Sequence, residues 1–87
     1  MDWNECLKKK IAKEVSEDKE LINSLLKTSQ NKLDSEKKLE LNEITASSKI
    51  SLLYDSLREL LEALSLKKRF KIYNHECYVY FFKRNSK

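Results

Sequence analysis

The sequence predicts an all-α protein, a small antiparallel helical bundle, on three observations. It contains no glycine and no proline, so it lacks both the residues that break helices and those that make tight turns and hairpins. Charged residues form 37% of the chain, with both signs mixed and aliphatic residues spaced among them, a composition of amphipathic helices rather than of a disordered chain. Between Ile50 and Leu64 the aliphatic residues recur with a period near 3.6. At 87 residues the chain is one domain at most, marginal alone and expected to self-associate.

Trp3, Leu7, Ile11 and Val15 recur every fourth residue, with Lys8, Lys9, Lys10 and Lys13 on the other faces. This spacing predicts one short amphipathic helix with Trp3 as a packing anchor. Ser16 or Asp18 is the expected cap of a second helix, and Glu17, Asp18 and Glu20 suit the positive end of its dipole. Leu21, Ile22, Leu25, Leu26 and Leu33 carry its apolar stripe, and residues 35–42 are the expected connection. Asn42 or Thr45 then caps the strongest helix, residues 44–67, whose stripe is Ile50, Leu53, Leu57, Leu60, Leu61 and Leu64. Lys67, Lys68 and Arg69 complement the negative end of that helix.

From Phe70 onward the residues allow two readings. Positions 70, 72, 78, 80 and 82 are apolar or aromatic and share one parity, as a hairpin arm would. Alternatively Asn74 caps a helix with Glu76 in its first turn and with Tyr78, Phe81 and Phe82 on one face. The pattern alone leaves both open.

Two cysteines, Cys6 and Cys77, are too few and too far apart to read as a disulfide framework or a metal site. Reduced thiols are expected, with Cys77 a small buried hydrophobe. One histidine and no CxxC argue against structural zinc, and no metal or cofactor is expected. No apolar run approaches the ~20 residues that span a bilayer, and nothing at the N-terminus resembles a signal peptide. The expectation is a cytoplasmic protein without membrane contact.

The net charge of +4 is unevenly spread: residues 1–16 carry +1, 17–46 carry −2, 47–66 carry −1 and 67–87 carry +6. The last segment sets Lys67, Lys68, Arg69, Lys71, Lys83, Arg84 and Lys87 against Glu76 alone, a field that favours phosphate-bearing partners. The same cations can also serve as a solvated tail. Within this segment Arg69 and His75, with Asn74 and Glu76 beside the histidine, form the sharpest constellation. Imidazole can relay a proton, and guanidinium can hold phosphate oxygens in a planar fork, so the pair could cleave a phosphodiester without metal. The plainer role for His75 is packing or capping at a helix start. Tyr54, Arg58 and Glu62, at i, i+4 and i+8, share a helix face that reads either as a contact surface or as a solvated ion-pair face.

The segment from Leu52 to Phe82, about a third of the chain, resembles the second and third helices of HEPN-superfamily domains of the archaeal and bacterial type. The residues that carry the resemblance are Tyr54, Leu57, Arg58 and Glu59, as Y-x-x-L-R-E, then Tyr73, His75 and Glu76, as Y-x-H-E. The resemblance implies a single HEPN-like domain over residues 1–87, all-α, completed by dimerisation, with residues 73–84 helical. It also implies that, as in active members, the protein is a metal-independent RNase whose Arg-x4–6-His motifs meet across a homodimer, the toxin partner of a small nucleotidyltransferase antitoxin. Arg69 and His75 have that spacing. Carried over, they are the catalytic pair, and Lys67, Lys68, Lys71, Asn74 and Glu76 are the residues expected at the RNA. The sequence departs from the family in placing Phe70 after Arg69, where active members usually have a polar residue, and the family's customary fourth helix is expected to be missing or supplied elsewhere. Two other readings satisfy the same residues. One is a winged-helix DNA binder with residues 44–67 in the major groove and residues 70–83 as the wing. The other is a non-catalytic dimerisation or partner-binding module.

Overall fold

The computed structural model describes residues 1–85; Lys87, one of the cations of the basic segment, lies outside them. Six elements follow one another there: α1 (Trp3–Lys8), β1 (Ala12–Glu14), α2 (Lys19–Lys38), α3 (Ala46–Lys67), β2 (Phe70–Ile72) and α4 (His75–Asn85). The chain is mostly helical, as composition predicts. The starts of the helices follow from short polar side chains. Asp2 accepts the Glu5 amide at 2.9 Å, Asp18 that of Leu21 at 3.0 Å and Asn74 that of Cys77 at 2.8 Å, each satisfying an amide that has no intrahelical acceptor. Asn42 accepts from both Ile44 and Thr45 and turns the chain into α3.

Helices α2 and α3 pack antiparallel along their length, and α2 runs to Lys38, four residues into the expected 35–42 connection. Lys49 explains the extension: its ammonium donates to the Glu36 and Leu39 carbonyls at 2.7 and 2.8 Å and pairs with the Glu36 carboxylate at 2.8 Å. It satisfies carbonyls that the last helical turn leaves open.

The first expected helix is corrected. It ends at Lys8, and residues 12–14 form a strand instead. Lys10 takes a left-handed backbone, φ 61°, with its amide on the Leu7 carbonyl and the next amide, of Ile11, on that of Cys6. This is the double hydrogen bond with which helices commonly stop at a glycine. With no glycine in the chain, lysine occupies that position, and Arg69, φ 68°, does the same after α3. A Cβ in this region costs roughly 1 kcal/mol. Lys10→Gly is therefore expected to raise stability by about 0.5 kcal/mol, the gain in the folded state exceeding the entropy added to the unfolded one. A urea midpoint equal to or below that of the wild type would refute this.

Past Lys10 the chain pairs antiparallel with β2, in the register Ala12↔Ile72, Lys13↔Lys71 and Glu14↔Phe70. The helical alternative for the C-terminal segment is the one that forms, with Asn74 as its cap and Glu76 in its first turn, and a separate short strand precedes it. Phe70–Ile72 is a strand and Asn74 starts α4, so the wing of the winged-helix reading does not form.

The sheet draws the two ends of the chain together. Trp3, Cys6, Ala12, Ile72, Cys77 and Phe81 form one buried cluster, with Trp3 edge-on to Phe70 at 5.3 Å and tilted against Phe81 at 5.2 Å. Ile22, Ala63 and Leu66 form a second, between α2 and α3. In the first cluster Cys6 and Cys77 are joined by a disulfide, which corrects the expectation of free thiols. Their 71-residue separation gave no hint of contact, because the pairing that closes it runs through β1, a strand hidden inside a helical pattern. The apolar stripe of α3 faces mostly outward, while Ser56, Glu59, Ala63, Ser65 and Leu66 supply its buried side.

Candidate functional site

The turn at Lys68 and Arg69 reverses the chain so that β2 returns beside α3. This brings Tyr73, Asn74 and His75 against the face of α3 that carries Tyr54, Arg58 and Glu62. The Tyr54 hydroxyl and His75 Nε2 are 2.8 Å apart, with the rings 6.0 Å apart and tilted by 57°. The hydrogen bond fixes the imidazole and leaves Nδ1 for another partner. A groove of about 300 Å³ opens beside it, lined from α3 by Arg58 and Glu62 and from the β2–α4 junction by Tyr73, Asn74, His75 and Tyr78. A smaller apolar recess of about 70 Å³ continues from it, between Tyr54, Leu57 and Leu61.

The mouth of the groove is cationic. Lys13 and Lys71 stand directly opposite each other across the sheet, and both ammonium groups approach the ring of Tyr73, at 5.8 and 5.9 Å. Like charges opposite one another weaken a strand pair, so this arrangement is a local conflict of the kind that marks a functional surface. Glu62, 3.8 Å from Lys71, offsets part of it. Burial first, and then the Glu62 carboxylate, push the Tyr78 phenol above its usual range, against the pull of its Ser65 hydrogen bond and of Arg58.

Of the residues singled out in the sequence, the structure gathers His75, Asn74 and Lys71 with Tyr54, Arg58 and Glu62. Arg69 stands elsewhere. It is 4.0 Å from Glu17 and lines a depression with Glu14, Val15 and Ser16 that shares no residue with the histidine groove. Within one chain the cation beside His75 is Arg58. Lys67 lines a further depression with Glu17 and Asn23, Lys68 is exposed at the end of α3, and Glu76 accepts the Tyr80 hydroxyl at 3.2 Å on α4. Lys13 carried no signal in the sequence, because its place beside Tyr73 depends on β1 being a strand. Among the described residues, no group of three or more His, Cys, Asp or Glu side chains is placed to hold a metal, and no helix is long and apolar enough to cross a membrane.

No family model, curated protein or solved structure matches this chain.

Proposed function

We propose that the groove between α3 and the β2–α4 junction binds single-stranded RNA, in a HEPN-like domain. The observation that carries the reading is Tyr73, 54% exposed between Lys13 and Lys71. An exposed aromatic face flanked by ammonium groups offers a base a stacking platform and the adjoining phosphates two counter-charges. The residues behind the HEPN resemblance support it as well, since Tyr54, Arg58, Tyr73 and His75 line the groove and its recess.

Cleavage without metal is the chemistry these groups allow. His75 would take the proton from a ribose 2′-hydroxyl, whose oxygen attacks the adjacent phosphorus. The 5′-oxygen then leaves with a proton from solvent, a 2′,3′-cyclic phosphate forms, and Arg58 balances the charge gathering on the phosphoryl oxygens. The cysteine pair bears on the compartment. A disulfide persists most readily where thiols are oxidised, so the Cys6–Cys77 bond favours an oxidising setting over a reducing one.

The test is fluorescence anisotropy with labelled single-stranded RNA in EDTA at two salt concentrations. Tyr73→Ala is expected to weaken binding about tenfold, the loss of one stacked base, and Lys13→Gln to lower the salt slope by about one unit. RNA affinity unchanged in both variants would overturn the reading. On a gel, scission by the wild type that His75→Ala lacks would extend it from binding to catalysis.

A further inference from the structure

Helix α3 carries an apolar face that the described residues leave uncovered. Ile50, Leu53, Leu57, Leu60 and Leu64 are 68, 45, 54, 37 and 42% exposed, while α2 and β2 pack on other sides of the helix. Beside this face α2 adds Leu26, 41% exposed, in the depression that it shares with Lys19 and Lys67. With Tyr54 at its edge, the uncovered area is on the order of 600 Å², at the top of the range for a soluble monomer. The free charges that border it on α3 have one sign. At 3.6 residues per turn, Arg58 flanks the stripe on one side and Lys67 on the other, and Lys68 closes its end, all three exposed. Lys49, also on the flank, is held by the Glu36 carboxylate. The carboxylates of α3, those of Asp55, Glu59 and Glu62, fall on the far side of the helix.

We propose that this face rests on a membrane surface that bears anionic lipid, with α3 in the plane of the headgroups. An apolar stripe bordered by lysine and arginine is the pattern of helices that lie in that interface. The leucines enter the acyl boundary, while the basic side chains run their methylene stems along it and carry their charged heads up to the lipid phosphates. Lys67 and Lys68 belong to the basic segment yet stand apart from the histidine groove, and here they have a partner. The same polarity orients the helix. Glu40 and Glu43, both exposed, precede α3, so an anionic surface draws in its C-terminal end and repels its start. The helix lies on the bilayer and does not cross it, a departure from the expectation of a protein without membrane contact. The proposal does not depend on what the groove binds.

Co-sedimentation of the oxidised protein with lipid vesicles, without RNA, tests the proposal. The wild type is expected to bind vesicles in which phosphatidylglycerol replaces about a third of the phosphatidylcholine, and to stay in the supernatant with phosphatidylcholine alone. Lys67→Gln and Lys68→Gln combined should lower the partition coefficient about 25-fold, about fivefold for each cation at the surface. Leu57→Glu, at an exposed position, should keep the helical circular dichroism and lower the partition coefficient at least about tenfold. A wild type that stays in the supernatant with the anionic vesicles would overturn the proposal, and so would equal binding to both kinds of vesicle. Leu57→Glu partitioning like the wild type would mean adsorption through charge alone and would overturn the placement of α3. A wild type that leaves anionic vesicles unbound and is dimeric in sedimentation equilibrium would assign the face to a second copy instead.

Discussion

Reduction of the Cys6–Cys77 disulfide is expected to lower the stability of this protein by about 4 kcal/mol, the chain entropy returned to an unfolded state freed of a loop some 70 residues long. For a chain of this size that corresponds to a fall of about 20 °C in melting temperature. The effect is large because so little else holds the N-terminus. Helix α1 has six residues, β1 has three, and the contacts that fix them are Trp3 against Phe70 and Phe81 and one short strand pair. Both sulfurs are fully buried, so the bond breaks readily only when α1 opens. Trp3, the single tryptophan and 7% exposed, reports that opening directly. Thiol reductant should shift its emission to the red and lower the melting temperature together, and Cys6→Ala with Cys77→Ala should do the same without reductant. Two titratable thiols in the air-oxidised protein, with a melting temperature indifferent to reductant, would refute the prediction.

Why this bond was illegible while neighbouring features were not is a question of range. Asp18 and Asn74 could be read as caps because a cap is a local event, one side chain and an amide three residues on. The helix at residues 44–67 was legible for the same reason, since its period is written in consecutive turns. Ile11 and Val15 extended the period of Trp3 and Leu7, yet they flank the two ends of a strand whose partner is nearly 60 residues away, and propensity cannot report a non-local partner. Lys10 and Arg69 hid two chain reversals, because the usual glycine signal was missing. The stripe on α3 shows a different limit. Periodicity states which side of a helix is apolar, not whether the monomer covers it. At the site, Tyr54, Arg58 and Glu62 were visible as one face and His75 as an isolated histidine. Their meeting depended on the β2 return, which no local pattern reports.

Loss of Glu59 is the second large effect. Its carboxylate, 5% exposed, accepts from Lys32 Nζ on one oxygen and from the Thr28 hydroxyl on the other. One turn away, Ser29 and Ser56 exchange hydroxyl-to-carbonyl bonds at 2.9 and 3.0 Å. The middle of the α2–α3 contact is therefore polar, and it is stable because its partners are complete: among the described residues no buried side-chain polar atom lacks one. Glu59→Ala would strand part of Lys32, while the Thr28 hydroxyl keeps the Leu25 carbonyl as acceptor at 3.2 Å. Breaking a buried pair costs roughly 3–5 kcal/mol when nothing replaces it. Lys32 keeps about a third of its side chain in solvent and lies 4.0 Å from Asp55, so about 2–3 kcal/mol is expected here. Glu59→Gln, which keeps the acceptor and loses the charge, should cost about half of that. The acid response follows in sign. The Lys32 hydrogen bond first, and then that of Thr28, hold the Glu59 carboxyl below its ordinary value of 4.5, against the opposing pull of burial. A carboxyl whose folded pKa lies below the unfolded one adds stability that is complete above about pH 4.5 and is lost as pH falls through the folded value. Urea midpoints of wild type and Glu59→Gln should therefore differ most near neutrality and converge below pH 4.5. A gap that stays constant from pH 7 to pH 3 would mean that the carboxylate contributes shape and not charge to the contact between α2 and α3.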